Sequence, residues 1–299
     1  MPFPSGSPKR RKKATRKKTA SRPASRDDGF AFELDGDLSK YNHQALVILG
    51  AAGCGKSSLA AQFPKPLFIT DGIDVGIRKL KARRSIPSNV RILRDPVDKW
   101  YRLMEVCEEL FKQPPGQFLT LVFESISGLQ SMAFEACCRE EYGGDWSKTG
   151  FLNYQQGPIA TNEKYWQPFT QQLEMLRSAG YNVIVTGHTE NKTVNNAQGI
   201  DYDTEIAYAN KHIWSSTYRW ADAVLIMSQV PDVEEQAGKS SGKLLGHDDR
   251  QLFVDMSNAF KAKNRWNLSG SVRCGKSAAE AYKNLCKAAK LDPATGCDR

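Results

Sequence analysis

The run Gly50-Ala-Ala-Gly-Cys-Gly-Lys-Ser57 follows the spacing G-x-x-x-x-G-K-[ST], and each fixed position has a chemical task. Glycines let the backbone curl around a phosphate with its N–H groups turned inward, and a helix leaving the loop presents its positive end. Lys56 is placed to neutralise β- and γ-phosphates, and the Ser57 hydroxyl to hold Mg²⁺. The expected contact set is Gly50, Ala51, Ala52, Gly53, Cys54, Gly55, Lys56, Ser57 and Ser58. The expected ligand is a purine nucleoside triphosphate, ATP foremost, together with Mg²⁺.

Such a loop also needs an acid at the end of a neighbouring strand to hold the hydrated metal. Glu124 fits, because it closes the apolar run Phe118-Leu-Thr-Leu-Val-Phe123, and it joins Ser57 as a metal-facing residue. The plain alternative, an exposed acid at a strand end, is disfavoured by that apolar run. His188 follows the apolar segment Asn182-Val-Ile-Val-Thr186, and ligands of parallel α/β sheets bind beyond the carboxyl ends of strands. His188 is therefore a candidate γ-phosphate sensor, with a structural histidine as the other reading.

These groups must be positioned by a strand before the loop and a helix after it. Ala45-Leu-Val-Ile-Leu49 reads as a strand buried on both faces, and Lys56–Phe63 as a helix closed by Pro64 and Pro66. A second match, Gly270-Ser-Val-Arg-Cys-Gly-Lys-Ser277, lacks that context, since the preceding Lys263–Ser269 is polar. It reads as chance, with Ser277 capping a helix over Ala278–Lys290.

Further strands are expected at Leu67–Ile69, Val90–Leu93, Asn182–Thr186, Asp222–Met227 and Gln251–Met256. One helix is expected to start at Asp95-Pro96, with Asp as cap and Pro first inside. It would bury Trp100, Leu103, Cys107, Leu110 and Phe111. Leu129–Tyr142 and Asn162–Ser178 read as helices, the latter burying Trp166, Phe169, Leu173 and Leu176. Gly143–Gly157 reads as a loop, and the polar, aperiodic Glu190–Thr204 as a mobile one. Strands alternating with helices predict an α/β fold with a mostly parallel sheet flanked by helices.

The formal net charge of +9 is unevenly spread. Residues 1–30 hold ten Lys/Arg and two Asp, net +8, which leaves 32 Lys/Arg and 31 Asp/Glu elsewhere, net +1. The tail is Ser-, Pro-, Ala- and Lys-rich and nearly free of apolar residues, so it is expected to be disordered. Its cations favour an arm for nucleic-acid phosphates over a merely solubilising tail, and Pro8–Lys13 has the form of a nuclear-import signal. Seven scattered cysteines without a C-x-x-C pair read as free thiols. No run of 18 apolar residues spans a bilayer, and Met1–Ala20 lacks a secretory apolar core, so a cytoplasmic protein is expected.

Taken together, these residues resemble the RecA-like P-loop ATPases of bacteriophages and prophages, a family that includes single-strand annealing recombinases. The resemblance covers roughly residues 41–268. It rests on the P-loop with Ser58-Leu-Ala-Ala-Gln-Phe-Pro64, on Pro66–Thr70, on Leu121–Leu129, on Val183–His188, and on Lys261-Ala-Lys-Asn-Arg265. It implies a RecA-like core over 41–268, a basic tail over 1–40 and a C-terminal helical extension over 269–299. Catalytic roles are implied for Lys56, Glu124 and His188, and for Lys263 and Arg265 as cations reaching a neighbouring subunit's nucleotide.

The same resemblance implies a homo-oligomeric ring or filament, single-stranded DNA contacted by Glu190–Thr204, and a bacterial or phage-infected cytoplasm. One departure stands out. RecA-like enzymes place a water-activating Glu just after the second strand, where this chain reads Ile69-Thr-Asp-Gly-Ile-Asp74. Asp71 or Asp74 would have to substitute, and slow turnover is expected. Three readings follow: a DNA-dependent ATPase, a nucleotide-gated DNA-binding protein with little hydrolysis, and a small-molecule kinase. The last is weakened by the lack of an arginine-rich lid over residues 130–180.

Overall fold

A computed structural model describes residues 42–73, 75–194, 199, 201–229, 232–234, 243–245 and 250–299. The basic tail and Asp74 lie outside the described residues, as does much of the segment between Val194 and Tyr202.

The strands and helices run β1 (Ala45–Gly50), α1 (Lys56–Ala60), β2 (Pro66–Thr70), α2 (Gly76–Ala82), β3 (Arg91–Ile92), α3 (Trp100–Phe111), β4 (Thr120–Glu124) and α4 (Ile126–Glu141). They continue through α5 (Gln156–Thr161), a π-helical turn Asn162–Trp166, α6 (Gln167–Ser178), β5 (Asn182–Gly187), β6 (Thr189–Val194) and β7 (Tyr202–Ala207). Then come α7 (Lys211–Trp220), β8 (Ala223–Gln229), β9 (Asp232–Glu234), β10 (Lys243–Leu245), β11 (Arg250–Phe253), β12 (Ser271–Arg273) and α8 (Ala278–Ala289).

Eight strands form one sheet in the order β12-β11-β8-β1-β5-β4-β2-β3. The six from β8 to β3 are parallel, and β11 and β12 add antiparallel pairs at one edge. This is the expected α/β architecture. Successive residues of β1 face opposite sides. Val47 and Leu49 join one core with α3, α4 and α6, whereas Leu46 and Ile48 join another with α1 and α8. With both faces covered, all six β1 residues are buried, which explains the unbroken apolar run.

The helix expected from Pro96 begins at Trp100 instead. Val97 N–H donates to Thr70 O at 2.8 Å, so the stretch after Asp95-Pro96 is tied to the end of β2 before the helix begins. Trp100, Leu103, Cys107 and Leu110 are buried as expected, but Phe111 is exposed and Val106 takes the inward place. The Gly143–Gly157 stretch is not all loop, because α5 starts at Gln156 and runs on into α6. The two ends of Glu190–Thr204 are strand, not mobile loop. Thr189–Val194 and Tyr202–Ala207 pair as an antiparallel hairpin, Thr189 opposite Ala207 and Val194 opposite Tyr202.

The second G-x-x-x-x-G-K-S match forms no phosphate cradle. Ser271–Arg273 is the edge strand β12, paired with β11, and Ser277 caps α8 by accepting from Glu280 N–H at 3.1 Å. Residues 269–299 thus contain the expected helix and also extend the main sheet. Their last turn closes over the amino ends of the central strands. Asp298 N–H donates to Asn42 O at 3.0 Å and Asn182 Nδ2 to Thr295 O at 2.7 Å. Asn182 Oδ1 in turn accepts from Gln44 N–H at 2.9 Å. No helix among the described residues is long and apolar enough to cross a membrane.

Candidate nucleotide site

The loop Gly50–Ser57 leaves the carboxyl end of the central strand β1. Gly50 has φ +150°, and a Cβ there would lie 2.3 Å from Met227 O on β8 and 2.7 Å from Cys54 Sγ. Only glycine fits, because the loop presses against the neighbouring strand. Gly55, at φ +110°, begins α1. Because α1 is only Lys56–Ala60, a helix dipole would add little at this loop, and an anion there would depend chiefly on Lys56 and the loop N–H groups.

Lys56 is buried, and its Nζ donates to Gly50 O and Ala51 O, each at 2.9 Å, with Cys54 Sγ 4.0 Å away. The ammonium is thus folded onto its own loop, held by two neutral acceptors that a phosphate would outcompete. Burial raises the Cys54 thiol's pKa, offset by the Lys56 and Arg250 charges.

Ser57 Oγ donates to Glu124 Oε1. The two come from elements 67 residues apart, with β5 lying between β1 and β4 in the sheet. The parallel register of β1 and β5 pairs Leu49 with Gly187, which sets His188 level with Gly50. His188 O accepts from Tyr208 N–H at 2.9 Å, so the residue after β5 is tied to the residue that leaves β7 at the hairpin's base. Thr189 Oγ1 donates to Glu205 Oε1 at the hairpin's base. Thr70 pairs with Glu124, so Asp71 sits level with Ser125. Asp71 accepts from Ile73 N–H at 2.9 Å and packs so tightly on α4 that a Cβ on Gly128 would meet its Oδ2 at 1.9 Å.

Lys56, Ser57, Glu124 and His188 are therefore gathered at one end of the sheet. Lys263 and Arg265 are not. Lys263 bridges Val224, and Asp222, whose Oδ1 accepts from Arg265 at 2.9 Å, also accepts from Ala45 N–H. Both cations thus lie at the amino ends of β1 and β8, about 16 Å of strand rise from Gly50. Lys263 Nζ stands 4.6 Å from the Tyr218 ring centroid, and burial, then the Arg265 charge, lower its pKa.

A family model described as an AAA domain matches residues 42–266. The chain belongs to the AAA domain family. No curated protein matches it. As a nucleotide-binding domain of the ATPase class, this AAA domain can be tested for its metal. Ser57 and Glu124 offer only oxygen, the preference of Mg²⁺, which takes the rest of its shell from phosphates and water. Beside them, the buried Thr70 and Thr186 hydroxyls have no hydrogen-bond partner. The donor set fits.

One residue of this AAA domain escaped the sequence. Arg250, first in β11, reaches over the loop from the β8 side, and a Cβ on Gly55 would lie 3.1 Å from its Nη1. Its Nε is buried without a hydrogen-bond partner. A lone arginine in an ordinary strand carries no motif. Only the β11–β8 register, Arg250 opposite Gln229, brings it there.

Proposed function

We propose that this AAA domain is a RecA-like ATPase that binds ATP with Mg²⁺ and couples turnover to single-stranded DNA, in annealing or recombination of the phage type. The observation that carries the reading is the Ser57–Glu124 contact beside His188, because His188 opens directly into the β6–β7 hairpin. A change felt at a γ-phosphate has a short covalent path to a polar, solvent-facing arm. In this reading Lys56 leaves Gly50 O and Ala51 O for the phosphates, and Ser57 and Glu124 hold the metal, which supplies charge neutralisation. His188 reports the γ-phosphate.

ATP turnover measured with and without single-stranded DNA tests it, with Lys56→Ala as the reference. Stimulation by DNA, lost in Lys56→Ala, is expected; turnover indifferent to DNA overturns the coupling.

Lys263 and Arg265 are proposed to act in trans, since their own nucleotide lies at the opposite end of the sheet. Mixing Lys263→Ala/Arg265→Ala subunits with Lys56→Ala subunits should restore turnover that neither shows alone. Inactive mixtures would leave these cations a role within their own chain only.

A second reading, nucleotide-gated DNA binding with little hydrolysis, is favoured by Asp71. It is the only described acid just beyond β2, and it is engaged by Ile73 N–H and packed on Gly128 rather than open to a water. DNA binding that requires ATP but proceeds without phosphate release would decide for it.

A further inference from the structure

Residues 75–94 hold seven cations, Arg78, Lys79, Lys81, Arg83, Arg84, Arg91 and Arg94, and no Asp or Glu. The near-neutral charge of residues 31–299 hides this block, because acids elsewhere cancel it in the sum. The fold gathers it onto one surface. Arg78 Nη2 donates to Leu93 O at 3.0 Å and Arg94 O at 3.2 Å, and Lys81 Nζ donates to Val90 O. These two cations pin α2 along β3, the outermost strand of the parallel edge. Lys79, Arg83, Arg84, Arg91 and Arg94 are left exposed on that edge, and no ion pair engages them among the described residues.

Ordinary structural duties account for part of this charge. Lys79 and Lys81 lie in the last turn of α2, where cations suit the helix dipole, and Arg91 guards an edge strand. Arg83, Arg84 and Arg94 are left over, and none of these duties calls for the exclusion of every acid.

We propose that the α2–β3 edge is a nucleic-acid backbone interface. Ile77, Ile86 and Val90 are buried, Leu80 and Ile92 pack partly buried against the same core, and Val75 at the head of α2 is the block's exposed large apolar side chain, so charge outweighs apolar surface on this edge. It contains no aromatic residue on which a base could stack, so it reads phosphates and not sequence. The edge begins a few residues beyond Asp71, which makes it a track leading to the nucleotide end of the sheet. The proposal stands on the edge's own charge and does not rest on ATP turnover.

The test is the salt dependence of oligonucleotide binding by the full chain, followed by fluorescence anisotropy. In Lys79→Gln/Arg83→Gln/Arg84→Gln/Arg91→Gln, the slope of log affinity against log salt for a single strand should flatten by about 3, at roughly 0.7 per lost phosphate contact. Arg83→Lys/Arg84→Lys/Arg91→Lys should keep the parent slope, and ATP binding should persist in both variants. Should the fourfold variant misfold, Arg83→Gln alone should flatten the slope by roughly 0.7.

An unchanged slope in folded variants overturns the proposal. So does an unchanged slope accompanied by loss of binding to phosphatidylserine vesicles, which would make the edge a membrane contact. DNA-insensitive turnover with a flattened slope would remove the recombination reading and leave this interface standing.

Discussion

Arg250 shows what a single side chain can add to a phosphate loop. Its guanidinium lies over Gly55 from the β8 side, whereas Glu124 meets Ser57 from β4, so under the proposed function it would face the α- and β-phosphates while Ser57 and Glu124 would hold the metal. A charge-assisted hydrogen bond contributes about 1.5–3 kcal/mol, so Arg250→Gln should weaken both ADP and ATP binding roughly 10- to 100-fold. Equal loss for the two nucleotides is the signature. Titration with fluorescent analogues reads it, and loss for ATP alone would move Arg250 to the γ-phosphate.

A second residue ties stability to pH. Burial, then the Arg177 charge, lowers the His43 pKa below its ordinary 6.5. Protons therefore bind the unfolded chain first, and stability is lost as pH falls from about 6.5 toward the folded value. His43→Gln should lower the acid sensitivity of the melting temperature in that window; an identical pH profile would assign the sensitivity to another group.

At the scale of elements, the two look-alike loops separate cleanly. Gly50–Ser57 is carried by a buried central strand, whereas Gly270–Ser277 spends three residues on an edge strand and its serine on a cap. Lys276→Ala should leave nucleotide affinity untouched. Ser277→Ala should cost about 1 kcal/mol, a melting shift of about 2–4 °C for a domain this size, again without affecting affinity. A drop in nucleotide binding in either variant would revive the second loop.

The parallel strands were legible because burial on both faces leaves an unbroken apolar run, as in β1 and β5. The hairpin was not, because β6 is exposed on both faces apart from its ends and so shows no alternation. The start of α3 misled because Asp95-Pro96 carries a helix-start signature, yet the next residue, Val97, donates its N–H to Thr70 O at the end of β2. Motif residues in the site could be named from spacing, but Arg250 depends on register, and the charge of the α2–β3 edge was masked by averaging over the chain.

At the scale of the whole molecule, the two ends of the described sheet-and-helix unit are neighbours. Asp298 N–H donates to Asn42 O, and Asn182 clamps the strand ends between Gln44 and Thr295. Loop-closure entropy for a short connector between such points is small. The order in which the elements are threaded is then separable from their packing. A circular permutant joining residue 298 to residue 42 through a few glycines, and opened between the exposed Gly143 and Gly144, should fold and bind ATP. A permutant that folds without binding ATP would show that the Gly143–Gly144 connection transmits order to the nucleotide loop. Between residues 42 and 298 the path of the chain comes back to where it starts, so a successful permutant would make its point of entry a matter of convenience.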